Sequence, residues 1–203
     1  MIRIIITLNI LKSQKKHNLI FHSLTKERWK DFEELFGPRG AVGGCWCMWW
    51  RISRAEYRKQ IGDGNKRAIK KIVNKNEVPG ILAYVDGKAV GWCSIQPRDV
   101  FPRLDNSRVL KRVDDKPVWS IVCFFIARGF RKTGISEELI KEAVKHAKKR
   151  GAKIIEGYPT EPKKEKSVDA FVYTGFYSSF KKAGFKEVER RSETRPIMRY
   201  YIK

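Results

Sequence analysis

The chain has 203 residues, with 44 Lys and Arg against 22 Asp and Glu and a formal net charge of +22. Hydrophobic residues make up 42% and aromatic residues 12%, which excludes wholesale disorder; a chain of this length suits one domain that buries roughly 70% of its unfolded surface without staples. The charge points either to phosphate-bearing or acidic partners or to a lysine-rich compositional bias.

Met1–Leu11 is apolar but about half the length that spans a bilayer, and its basic cluster, Lys12 to Lys16, follows the apolar run where a signal peptide would place it first. Residues 1–16 therefore read as an extension, residues 17–203 as a single domain, and no membrane partner is expected. Cys45, Cys47, Cys93 and Cys123 are too few and too irregular for a disulfide framework. One residue separates Cys45 from Cys47, where zinc knuckles have two, and His17, His22 and His146 show no paired spacing. No metal site is expected, and the composition reads as cytoplasmic and reduced.

His17–Leu24 is a short strand. Thr25 then caps a helix with Trp29, Phe32, Leu35 and Phe36 at helical spacing, stopped by Gly37-Pro38-Arg39-Gly40. Gly43–Arg51 is dense in aromatic residues and glycine, and Arg54–Asn74 reads as one or two helices interrupted at Gly62-Asp63-Gly64. Ile81–Val85 and Lys88–Ile95 are apolar runs joined by Asp86-Gly87, the signature of a type I′ hairpin, in which both turn residues take positive φ. A polar connection, Gln96–Asp115, leads to Val118–Ala127, a nearly continuous apolar run of the kind covered on both faces of a sheet. Arg128–Ser136 is a basic glycine-bearing loop, and Glu137–Arg150 is a helix with Leu139, Ile140, Ala143, Val144 and Ala147 on one stripe. Ala152–Glu156 is a strand and Gly157–Ser167 a loop. Thr174–Ala183 is a short helix ended at Gly184, and Phe185–Ile202 holds two strands flanking Arg195-Pro196.

The stretch Ile126–Ser136 carries the chemistry. A buried strand running through a glycine loop into a helix makes an anion site, because the helix start leaves N–H groups unpaired and adds partial positive charge. Arg128, Arg131 and Lys132 supply full charges, and Gly134 lets the backbone approach a bulky anion. The loop is neither a Walker loop nor a dinucleotide fingerprint. By composition alone it is equally an ordinary strand-to-helix turn.

Arg131-x-x-Gly134-x-Ser136, after an apolar strand and before an amphipathic helix, resembles the acetyl-CoA loop of the GNAT N-acetyltransferases, whose pattern is Arg/Gln-x-x-Gly-x-Gly/Ala. Phe180-Lys181-Lys182-Ala183-Gly184-Phe185 resembles the family's Tyr-x-x-x-Gly-Phe run, and the Asp86-Gly87 hairpin matches its second and third strands. The resemblance covers about Phe21 to Tyr201 and implies an α/β (α+β) fold: a mixed, mostly antiparallel sheet of six to seven strands flanked by helices. The aromatic block and the Arg190–Pro196 tail also resemble an uncharacterised bacterial and archaeal subgroup.

The resemblance further implies an N-acetyltransferase that moves acetyl from acetyl-CoA to a primary amine by direct attack in a ternary complex. Backbone amides of Arg131, Lys132, Thr133, Gly134, Ile135 and Ser136 would hold the CoA pyrophosphate. Phe124, Phe125 and Ile126 would face the pantetheine arm, with a main-chain N–H near Ile126 polarising the thioester, a contribution of ~3 kcal/mol per donor. The family's general-acid Tyr falls on Phe180, which has no hydroxyl, so Tyr177, one turn earlier, is the candidate acid, ahead of Tyr173. Neutralising a lysine-like amine at pH 7 costs about 4–5 kcal/mol, so a base or a water chain is expected, with Glu156 the candidate base ahead of Asp114 and Asp115. Trp46, Trp49 and Trp50 would wall the acceptor pocket or belong to the core, and Cys123 reads as core. Two alternatives stand: an acetyltransferase whose acceptor is nucleic-acid-associated (a ribosomal protein or aminoacyl-tRNA), or a non-catalytic CoA sensor. The fold's pairing through terminal strands admits a homodimer.

Overall fold

Seven strands form one sheet: β1 (Leu19–Ser23), β2 (Gly80–Val85), β3 (Lys88–Pro97), β4 (Trp119–Ile126), β5 (Ile154–Gly157), β6 (Lys186–Arg190) and β7 (Pro196–Tyr201). Their order is β1-β2-β3-β4-β5-β7-β6, and every neighbouring pair is antiparallel except β4 with β5. The computed structural model describes residues 18–162 and 172–203; the expected extension 1–16, His17 and part of the Gly157–Ser167 loop lie outside them. Among the described residues, no helix is long and apolar enough to cross a membrane.

The helices are α1 (Trp29–Phe36), α2 (Arg54–Gln60), α3 (Asp63–Asn74), the single turn α4 (Pro102–Asp105), α5 (Ile135–Lys148) and α6 (Tyr177–Lys182). The amphipathic stripes decide which face each one covers. Trp29, Phe32 and Phe36 of α1 and Ile69 and Val73 of α3 pack with Trp46, Trp50 and Trp92 on one face. Leu139, Ile140, Ala143 and Ala147 of α5 and Phe180 of α6 pack against Ile81, Ile95, Ile121 and Phe124 on the other. Asp86 and Gly87 take φ of 50° and 76°, as the type I′ turn requires. Two details differ from the sequence reading. Thr25 stands at a helix N-cap but makes no side-chain cap hydrogen bond, and α5 starts at Ile135, two residues before Glu137, because Gly134 serves as its N-cap at φ 88°.

The feature that positions the site is a fork. β4 and β5 stay paired only at Trp119–Ile155, Ser120–Glu156 and Ile121–Gly157, after which β4 continues to Ile126 paired with β3 only. A register shift against β3 between Ser94 and Ile95 leaves Val122 as an extra residue in β4, a β-bulge of the kind that bends a strand. Val122 and Cys123 consequently both face α1, and beyond them Phe124 and Ile126 face α5 while Phe125 faces α1. Phe180 fills the fork from below, with its ring 6.0 Å from that of Phe124. It fits because Gly157 has no side chain: a Cβ there would overlap the Phe180 ring.

Gly157→Ala is expected to destabilise the protein by about 1–3 kcal/mol through overpacking, read as a lower midpoint in urea at unchanged slope. A pH effect follows from His146, buried on α5 beside Trp119, where burial and then the charges of Arg150 and Lys149 hold its proton affinity down to about 4. The unfolded chain protonates near 6.5, so this contribution is complete above about pH 6.5 and declines as pH falls toward about 4. Urea midpoints across that window are expected to drop for the wild type and to drop less for His146→Gln.

Candidate active site at the strand fork

Beyond Ile121, β4 has lost its neighbour on the β5 side. The Ala127 amide donates to Val90 O at 2.9 Å on the β3 side, so by the alternation of an antiparallel ladder the Phe124 and Ile126 amides face the fork. The Phe124 amide is taken there by the carbonyl of Tyr173 at 2.6 Å. Phe125, expected beside Phe124 and Ile126, instead packs on the α1 face, 5.4 Å from the Phe36 ring.

From Ile126 the chain makes one short turn, Arg128–Phe130, and reaches α5. Arg131 folds back to donate to Ile126 O at 3.1 Å, and the Thr133 hydroxyl donates to Phe130 O at 2.6 Å. Lys132 at φ 62° and Gly134 at φ 88° turn the backbone so that the first helical amides point outward. A Cβ on Gly134 would meet nothing within 4 Å, so the space above the helix N-terminus is open. Arg131, Lys132, Thr133 and Gly134 are exposed, Ile135 is buried, and Ser136 sits against α6 with its hydroxyl 3.5 Å from that of Ser179. Residues 131–134 thus form an exposed turn between the end of β4 and α5.

Glu156 lies elsewhere. Its side chain is 1% exposed, and it accepts from Arg98 Nη1 at 3.1 Å, from the Tyr158 hydroxyl at 2.7 Å and from Arg199 Nε at 2.7 Å. Ser120 lies 2.8 Å from the Tyr158 hydroxyl, Asp105 accepts from Arg98 at 2.8 Å, and Asp114 takes Arg199 in a fork at 2.8 and 2.9 Å. The Arg199 fork holds the Asp114 carboxyl down to about 2. The Glu156 carboxylate is thus held by two guanidiniums and a phenol, and that of Asp114 by one guanidinium.

Tyr177 is likewise turned away. Its ring lies 5.7 Å from the Arg190 guanidinium, on the side of Glu187 and β6, the edge strand two places from β5. Tyr173 is the phenol at the fork. Its carbonyl sits on β4, its ring lies 6.4 Å from that of Trp50, and burial is the main cause that raises its hydroxyl to about 12.

The tryptophans divide. Trp46 stacks on Phe36 at 5.6 Å and is core. Trp49 meets Tyr57 edge-on at 5.0 Å and carries the Arg103 guanidinium 3.5 Å above its ring, and it and Trp50 belong to the Tyr173 side of the fork.

Sequence reasoning also missed a buried arginine. Arg51 donates to Gln96 at 2.5 Å, Pro79 O at 3.1 Å and Ser94 at 3.2 Å. Its charge, together with hydrogen bonds from Cys123 and Trp92, outweighs burial and lowers the Cys47 thiol. Among the described residues, no group of three or more His, Cys, Asp or Glu is placed to hold a metal. The basic residues do not gather on one face: Lys70 and Lys71 of α3 and Lys148 and Lys149 of α5 are exposed on opposite sides of the sheet.

Residues 46–176 match the acetyltransferase (GNAT) family. The N-acetyltransferase PaiA of Thermoplasma acidophilum, solved with coenzyme A, is 16% identical, with 91% of this chain and 99% of that one covered and a TM-score of 0.51. A GNAT-family acetyltransferase of Listeria monocytogenes is 11% identical over 91% and 95% of the two chains, at 0.55. The yncA protein of Salmonella typhimurium, solved with acetyl-CoA, is 10% identical over 91% and 94%, at 0.53. At these identities the likeness speaks for the fold alone. No curated protein sequence matches this chain at a significant level.

Glu156→Gln removes the buried carboxylate that Arg98 and Arg199 share and leaves them Asp105 and Asp114, both less buried than Glu156. It is expected to cost about 3 kcal/mol or more in unfolding free energy, measured by urea denaturation. A loss under about 0.5 kcal/mol would show a carboxylate not engaged by its arginines.

Proposed function

The chain belongs to the acetyltransferase (GNAT) family, and from that premise we propose that it is a cytoplasmic N-acetyltransferase moving acetyl from acetyl-CoA to a primary amine by direct attack in a ternary complex. The observation that carries this reading is the fork itself. A strand end with outward backbone donors leads in one turn to the N-terminus of a 14-residue helix whose first amides are open.

In this reading the amides of residues 131–136 and the charges of Arg128, Arg131 and Lys132 hold the pyrophosphate. Phe124 and Ile126 line the arm that carries the thioester. The Ile126 amide donates to the acyl oxygen as charge develops on it, worth roughly 3 kcal/mol. Proton donation to the departing sulfur passes from Tyr177 to Tyr173, which stays protonated at neutral pH and lies at the fork. Glu156 holds β5 in place, and the acceptor amine loses its proton through water. Trp49 and Trp50 wall the acceptor side, and Cys123 forms no acyl bond in a direct transfer.

Calorimetric titration of acetyl-CoA into salt-washed protein is expected to show micromolar binding that Gly134→Trp abolishes. Tyr173→Phe is expected to lower kcat by roughly 10²-fold or more, measured as amine-dependent thiol release, with acetyl-CoA affinity unchanged. Absence of binding by the wild type would overturn the assignment. Binding without thiol release for any amine would favour a CoA sensor.

A further inference from the structure

Two arginines flank Tyr173, and among the described residues no carboxylate forms a salt bridge with either. Arg195, in the turn before β7, donates from Nη1 to the hydroxyls of Thr160 at 2.9 Å and Thr174 at 3.2 Å, the latter next in sequence to Tyr173. Arg103 of α4 lies on the Trp49 ring at 3.5 Å, its backbone amide 3.5 Å from Trp50 O, and its Nη1 is buried without a hydrogen-bond partner. Arg98, Arg112, Arg190, Arg191 and Arg199 each form a salt bridge, whereas neither Arg103 nor Arg195 forms one among the described residues. Both charges act on the Tyr173 phenol, and burial works against the charge of each.

A half-buried guanidinium short of an acceptor carries an uncompensated desolvation cost. Arg103 is in that position, and Arg195, held by two threonine hydroxyls rather than a carboxylate, adds a second charge beside Tyr173; the member that both lack among the described residues is an anion. The CoA phosphates do not fill it, because the loop proposed for them opens beside α5, whereas Trp49, Trp50 and Tyr173 pack with the cluster on the α1 face. A purely cationic acceptor would be repelled by the pair.

We infer that the acceptor carries a carboxylate or phosphate beside its amine, and that Arg103 and Arg195 bind that group while Trp49 and Trp50 flank the chain between. This rests on the acetyl-transfer reading above. Arginine suits the role because its planar fork matches both oxyanions.

The test uses matched acceptors: β-alanine against propylamine for the carboxylate, phosphoethanolamine against ethanolamine for the phosphate. With acetyl-CoA, the anionic member of at least one pair is expected to show kcat/KM roughly 10-fold to 100-fold higher, mainly through KM, and the preferred pair identifies the oxyanion. Arg103→Gln and Arg195→Gln are each expected to bring that ratio close to one, and Arg103→Lys to restore part of it; thermal melts show that the variants are folded. Equal or better turnover of the uncharged amines by the wild type overturns the inference, as does a ratio that survives both variants. If no amine releases thiol, the transfer reading fails and the anion site is judged separately. β-Alanine and phosphoethanolamine are then titrated calorimetrically into CoA-saturated protein. Binding that either glutamine variant loses upholds the site, and no binding by the wild type overturns it.

Discussion

One aromatic ring holds the active region open. Phe180 sits where β4 and β5 part, against Phe124 of one strand and Gly157 of the other, with Phe185 edge-on at 5.0 Å. Gly175 is cut to the same shape, since a Cβ there would lie 2.9 Å from Phe180 and 3.0 Å from Phe124. A parallel pair otherwise gains by zipping, as each further residue satisfies backbone groups. The ring makes zipping sterically impossible beyond Gly157, so the donors of β4 have to find other partners. Everything assigned to the fork, from the Tyr173 carbonyl on Phe124 to the outward Ile126 amide, depends on that exclusion.

The strand pair is locked by charge one residue before it parts. Arg98 and Arg199 share the Glu156 carboxylate, and Asp105 and Asp114 take their remaining donors. Arg98 also donates to Leu110 O at 3.0 Å, and Arg191 donates to the carbonyls of Lys111 and Arg112. The long connection between β3 and β4 is therefore pinned to β5, β7 and the turn after β6 rather than looping free. Such a network adds less net stability than its distances suggest, because every ion in it has been taken out of water. What it supplies is registry: β5 and β7 meet with Glu156 opposite Arg199.

Much of the frame is legible from local chemistry. Asp86-Gly87 can hardly be anything but a hairpin turn, the run 118–127 announces a strand covered on both faces, and the stripe after Gly134 announces a helix. The site was legible only where its residues are close in sequence. Glu156 at a strand end looks like a solvated base until its partners, 58 and 43 residues away, arrive. Tyr173 lies four residues before Tyr177, which opens α6, and no local signal says which of them lies nearer the fork. The aromatic block fails for another reason. Trp46 and Cys47 adopt φ of 42° and 60°, a reversal that sends Trp46 into the core with Trp50 and leaves Trp49 half-buried against it, and neither helical nor strand periodicity encodes it.

The sheet order carries a kinetic consequence. β6 precedes β7 in the chain but lies outside it, so β6 has nothing to pair with until β7 exists. β6 can join only with or after β7, and β5 gains its outer partner only when β7 docks. Until that moment β5 presents a bare edge, and Glu156 waits in it without Arg199. This is the stage at which a half-folded chain is most open to strand exchange with a second copy. The final docking step seals the edge and neutralises the carboxylate together.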